Sequence, residues 1–119
     1  MRVAGLGCRA GVPLEALEQV LAMAVVQGGP PDALATVPAR EAELRLLAEA
    51  LKLPLRLVQV TGIATPTRSE RILARYGAGS VAEAAALAAA GPGARITAPR
   101  IASDCGRATC AIAESGEPA

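Results

Sequence analysis

The residues best suited to chemistry come early in the chain. Gly5-Leu6-Gly7-Cys8-Arg9-Ala10 sets two glycines, a thiol and a guanidinium directly after a short apolar run. Backbone N–H groups in such a turn, with an arginine able to clamp a carboxylate or phosphate bidentately, form an anion pocket at the carboxyl end of a strand. Open α/β sheets gather ligands at that edge. The same residues satisfy the G-x-G-x-x-A spacing of a dinucleotide-binding turn. That reading is set aside because the helix begins late, at Pro13, and the nearby acid, Asp32, precedes the second strand instead of ending it. A tight turn that needs glycine dihedrals explains Gly5 and Gly7 equally simply. Cys8 reads either as a small buried hydrophobe or as a thiol activated by Arg9 and a helix N-terminus.

Two helix starts, Thr67 to Glu70 and Ser80 to Glu83, are the second candidate for the same edge. Capping alone accounts for their Ser, Thr and Glu residues. The remaining thiols, Cys105 and Cys110, have no neighbouring ligand types that would complete a metal clip and read as structural. With no histidine in the chain, Ser-His-Asp and Cys-His sites, His-ligated zinc and a histidine base are excluded. Acid–base work falls to Glu, Asp, Cys, Tyr76, Lys52 or the ligand itself.

The elements that must position these residues follow from hydrophobic spacing. Residues 2 to 6 form a first strand, and Pro13 opens a helix with Leu14, Leu17, Leu21 and Ala24/Val25 on one face, stopped by Gly28-Gly29-Pro30-Pro31. A second strand is expected over Leu34 to Val37. An amphipathic helix then runs from Arg40, with Leu44, Leu47, Ala48 and Leu51 inward, and ends before Pro54. Leu55 to Val60 alternates as a third strand. A short helix with Ile72, Leu73 and Tyr76 inward follows, N-capped by Thr67 or Ser69 and C-capped by Gly77. Ser80 and Glu83 fit a reciprocal capping box that starts an Ala-rich helix ending at Gly91-Pro92-Gly93. Arg95 to Ile101 and Thr109 to Ala113 read as an antiparallel hairpin, with Glu114 to Ala119 a flexible tail. The β-α-β-α-β order favours a parallel sheet with covering helices, made mixed by the hairpin.

A chain of 119 residues holds one domain. Its 28 alanines and single aromatic residue demand a thin core whose stability rests on close fit. A net charge of +1, balanced between the two halves, and the lack of stacking residues argue against a nucleic-acid partner. Three cysteines without a C-x-x-C pair fit a reducing cytoplasm, and no apolar run reaches membrane-spanning length.

Taken in order, V-A-G-L-G-C-R-A-G, P-T-R-S-E-R-I-L-A-R-Y-G, G-S-V-A-E-A-A-A-L and A-T-C-A-I-A resemble the CobE family of cobalamin biosynthesis, which is similar to the C-terminal domain of CbiG. The resemblance spans almost the whole chain. It implies a single three-layer α/β/α domain over residues 1–119 with a mostly parallel, mixed central sheet. It also implies a role in building the corrin ring, with a precorrin or hydrogenobyrinic acid as ligand, other enzymes of the pathway as partners, and no metal or cofactor. CbiG proteins of the anaerobic route open a ring-A lactone, whereas CobE belongs to the aerobic route. An accessory or carrier role is therefore expected first, and hydrolase or lyase action on a precorrin second.

The residues that match the family motifs, and so the expected substrate contacts, are Gly5, Gly7, Cys8, Arg9, Ser69, Ser80, Val81, Glu83 and Ala84. Cys8 and Glu83 are the candidates for nucleophile or base. Family members commonly carry lysine where this chain has Arg40 and Arg100. Arg9, Arg68, Arg71 and Arg100 are the cations expected to meet the acetate and propionate arms of such a macrocycle.

Overall fold

The computed structural model describes residues 1–115. Strand β1 (Arg2–Cys8) is followed by helix α1 (Leu14–Gly28), strand β2 (Ala33–Thr36), a 3₁₀ turn (Pro38–Arg40) and helix α2 (Glu41–Leu51). Strand β3 (Leu55–Leu57), helices α3 (Glu70–Tyr76) and α4 (Val81–Ala90), and strands β4 (Arg95–Ala102) and β5 (Ala108–Glu114) complete the chain. The five strands lie in the order β3-β2-β1-β5-β4. β1, β2 and β3 are parallel, while β5 runs antiparallel to both β1 and β4. The expected mixed sheet and terminal hairpin are both present.

Strand alternation sorts the core into two layers. Ala4 and Leu6 of β1 join Leu34, Cys110 and Ile112 beneath α1 and α2, whose Leu17, Val20, Leu44 and Leu47 are fully or almost fully buried. Val3 and Ala35 face the other way, toward Val81, Ala84 and Ala85 of α4, with Ile72 and Tyr76 packed against the edge of that cluster. This is the α/β/α arrangement that two-sided burial of a sheet requires. A threonine contact pins it: Thr36 is fully buried, and its Oγ1 donates to the Leu6 carbonyl oxygen at 2.7 Å.

Several boundaries differ from the sequence expectation. β1 continues through Cys8, pairing Gly7 with Thr109 and Cys8 with Ala108, so both residues belong to a strand and not to a glycine turn. The true turn is Arg9 to Val12, where Gly11 has φ 73° and the Gly11 N–H donates to Glu43 Oε2 at 2.9 Å. β3 ends at Leu57. It is an edge strand with no further neighbour to pair, so alternation beyond Leu57 meets only the single Val58 N–H to Thr36 carbonyl bond. Glu114, expected in a flexible tail, is the last residue of β5 and pairs with Arg2 at 2.6 Å. Ser115, expected in the same tail, is also tied down, its N–H donating to the Met1 carbonyl at 2.8 Å. The remainder of that expected tail, 116–119, lies outside the described residues.

Candidate functional site

The carboxyl ends of β1 and β2, the start of α4, helix α3 and the β4–β5 hairpin surround a cavity of about 580 Å³. Six arginines line it: Arg9, Arg40, Arg71, Arg75, Arg100 and Arg107. No acidic side chain does. Among the described residues these six make no ion pair, whereas Arg2, Arg45, Arg68 and Arg95 are each within 4 Å of a glutamate. Half of the chain's twelve cations therefore converge on one opening, and none of the six is salt-bridged among the described residues, Glu43 being a nearby acid that feels Arg40 without pairing with it.

Backbone geometry explains how distant arginines meet. Arg9 follows the end of β1, and its N–H donates to the Arg107 carbonyl at 3.0 Å, tying the first turn to the hairpin. Arg40 ends the 3₁₀ turn after β2, and its Nε donates to the Cys8 carbonyl at 2.9 Å, across the parallel strand ends. Arg71 and Arg75 are one turn apart on α3 and so share a face. Ser69 caps α3 by accepting from the Ile72 N–H, which settles the N-cap in favour of Ser69 over Thr67, and Gly77 closes it in the left-handed region. α3 has no fully buried residue, so it is held by its ends. Thr61 Oγ1 donates to the Tyr76 carbonyl, and the Ser69 N–H donates to the Gly79 carbonyl. Arg100 sits in β4 where Pro99 and Arg100 stand opposite Ala111 alone, between the pairs Ala98–Ile112 and Ile101–Cys110. Such a bulge turns a strand's groups away from the ladder.

The motif residues divide cleanly. Gly7, Cys8, Arg9, Ser69, Ser80 and Val81 line the cavity. Gly5, Glu83 and Ala84 do not. Gly5 lies under α4, where any Cβ would overlap the Ala82 carbonyl oxygen and come within 2.5 Å of the Ala86 nitrogen. Ala84 is fully buried in the core beneath α4. Ser80 accepts from the Glu83 N–H at 3.2 Å, the first half of the expected capping box. The second half is replaced, because the Glu83 carboxylate turns away from Ser80 and is wholly buried. Its Oε1 accepts from the Thr67 N–H at 2.9 Å and the Thr67 hydroxyl at 2.8 Å, and its Oε2 from the Arg100 N–H at 2.9 Å. Tertiary donors have displaced the local one.

Of the cations named from sequence, Arg9, Arg71 and Arg100 reach the cavity, while Arg68 points to Glu70 at 3.3 Å and does not line it. Arg75 and Arg107 were not legible as site residues. The i, i+4 spacing of Arg71 and Arg75 was the one local signal for the former. Cys8 packs at the edge of the α1/α2 core. Burial, reinforced by Glu43 and opposed by Arg40, pushes its thiol up to about 11, which leaves little thiolate at neutral pH for nucleophilic attack. Among the described residues no group of His, Cys, Asp and Glu could hold a metal ion, and no helix is long and apolar enough to cross a membrane.

A family described as the cobalamin synthesis G C-terminus matches residues 2–113. The chain belongs to the CbiG C-terminal family. Its fold is shared with CobE, a protein from the cobalamin (vitamin B12) biosynthetic pathway, at 32% identity and TM-score 0.80, over 95% of this chain and 89% of that one. Cobalamin biosynthesis protein chiG from Agrobacterium tumefaciens is 40% identical at TM-score 0.75, covering 98% of this chain and all of its own. A putative cobalamin biosynthesis protein G homolog from Sulfolobus solfataricus, 18% identical at TM-score 0.67, shares the fold over 98% of this chain and 37% of that one. No curated protein sequence matches. In this CbiG C-terminal domain Arg40 and Arg100, the two positions for which the resemblance implied lysine, both open onto the cavity.

Proposed function

We propose that the protein binds a metal-free corrinoid, a precorrin or hydrogenobyrinic acid, as an accessory or carrier in the aerobic route to the corrin ring. The observation that carries this reading is the set of six arginines without acidic partners around one cavity of about 580 Å³. A volume of that size is within the roughly 300–1,000 Å³ of small-molecule sites. A polycarboxylate macrocycle offers several planar anions at separated points, and guanidinium groups pair with carboxylates bidentately and strongly. Val37, Ile72, Val81 and Tyr76 add apolar surface for the ring. Membership of the CbiG C-terminal family supplies the pathway.

Binding is favoured over turnover by the state of the two candidate catalytic groups. The Cys8 thiol is pushed up to about 11, and the Glu83 carboxylate is fully buried with three donors. The test is a visible-absorbance titration of hydrogenobyrinic acid with the purified protein, followed by gel filtration. A shifted spectrum with stoichiometric co-elution is expected. An unshifted spectrum and separate elution would remove the corrinoid reading, and release of acetaldehyde from a lactone-bearing precorrin would replace the carrier role with hydrolysis.

A further inference from the structure

Glu83 is the one fully buried charged side chain of the described residues, yet it faces neither solvent nor the cavity. Its three acceptor contacts reach two segments remote from each other in sequence. Thr67 lies just before α3, the helix that presents Ser69, Arg71 and Arg75, and Arg100 lies in the β4 bulge. We propose that Glu83 is the positioning residue of the anion cavity, a buried carboxylate that fixes the distance between its α3 wall and its β4 wall. The inference rests on the reading of the cavity as the ligand site.

The chemistry at each contact is specific to a carboxylate. The Thr67 N–H, the Thr67 hydroxyl and the Arg100 N–H are all donors, and an ionised carboxylate is acceptor-only. The Arg100 N–H is free for Glu83 because the bulge removes it from the β ladder, and Pro99 beside it has no N–H at all. The segment over Glu83 is closely seated. A Cβ on Gly79 would come within 2.9 Å of Thr65 Oγ1 and 3.0 Å of the Thr67 carbonyl oxygen. Thr65 Oγ1 in turn donates to that carbonyl at 2.7 Å. α4 itself is rigidly placed because Gly5 admits its backbone against β1. Glu83 thus ties α4 to the α3 wall, which has no fully buried residue of its own, and to the bulge of β4, where the Arg100 N–H leaves the ladder. Glutamine keeps the shape but turns a donor toward either Thr67 or Arg100, leaving a buried donor–donor contact.

Hydrogen exchange on Glu83→Gln tests the anchoring without any ligand. Faster exchange at the Thr67 and Arg100 amides, with α1 and α2 amides unchanged, is expected; equal protection in variant and wild type would overturn the proposal. Titration with hydrogenobyrinic acid tests the consequence, where a loss of roughly tenfold in affinity is expected. That loss should shrink when Arg100→Ala is already present, since a residue acting through Arg100 is coupled to it. Equal losses in both backgrounds, or unchanged affinity, would sink the positioning role. If wild type does not bind the probe while the two amides still open in the variant, the corrinoid reading fails and the anchoring stands. Should Glu83→Gln not fold, Thr67→Val, which deletes only the hydroxyl contact, carries the same comparisons with smaller expected changes.

Discussion

The backbone of Ala82 occupies the space into which a side chain on Gly5 would project. Gly5 faces α4 together with Val3 and Gly7, and the absence of a Cβ lets the helix lie directly on the strand. This contact gives the first glycine of the G-x-G motif a packing role with no ligand in it. Its φ is not in the left-handed region, so the requirement is for space and not for a special dihedral.

Gly5→Ala is accordingly expected to destabilise the fold by about 1 to 3 kcal/mol or more, as overpacking against backbone does. Urea denaturation measures it. A change below half a kilocalorie would contradict the close seating of α4 on β1.

Arg9→Ala removes an exposed guanidinium whose only tie to the hairpin is made by its backbone N–H. Stability should stay within about 0.5 kcal/mol of wild type. Affinity for hydrogenobyrinic acid should fall by roughly ten- to a hundredfold, the loss of one charge-assisted contact of about 1.5 to 3 kcal/mol. Unchanged affinity in the folded variant would remove Arg9 from the site.

The three thiols should differ in reactivity. Burial holds Cys8 up at about 11 and Cys110 at about 12, while the hydrogen bond with Ser103 lowers the exposed Cys105. Timed labelling at pH 7.5 with a maleimide, read by peptide mass, should find Cys105 modified first and Cys110 only on unfolding. Cys8 reacting ahead of Cys105 would revive it as a nucleophile.

Binding strength should hardly change between pH 6 and 8, because arginine stays charged and the chain has no histidine to titrate there. Stability has its own acid limb. Glu114 and Glu43 are both held below the usual carboxylate value of 4.5, by Arg2 and by the Gly11 N–H respectively. A lowered native pKa contributes stability that is complete above the unfolded value and lost as pH falls through the native one. Glu114→Gln should therefore lower stability at pH 7 and flatten its decline below about 4.5. Parallel acid limbs in both proteins would show the pair with Arg2 to be energetically silent.

Ser80→Ala deletes the N-cap of α4 and should cost about 0.5 to 2 kcal/mol, read by thermal unfolding. Because Ser80 also lines the cavity, an affinity loss well beyond that figure would add a ligand contact to its capping role.

Local signals were read correctly where local physics decides. A cap at Thr67 or Ser69, which the structure resolves to Ser69, the stop at Gly77 and the antiparallel hairpin follow from side-chain–backbone bonding and glycine dihedrals acting within a few residues. Glu83 illustrates the opposite case. Its spacing from Ser80 predicts a local capping box, but two segments folded over α4 supply better donors, and the carboxylate goes to them. The extent of β1 was misjudged for a related reason. Gly7 and Cys8 extend the strand because β5 pairs with them, a partner that lies a hundred residues away in the chain and leaves no local mark.

The sequence by itself determined the absence of histidine chemistry, the order of helices and strands, and the family motifs, all of which depend on residue type and short spacing. It put the net charge at +1 and the two halves in balance. Only the tertiary structure decided that six arginines, drawn from positions 9 to 107, share one opening free of acidic side chains. Net charge sums over the chain regardless of position, whereas the field at a site depends on distance, and distances are set by which strand ends the fold brings side by side.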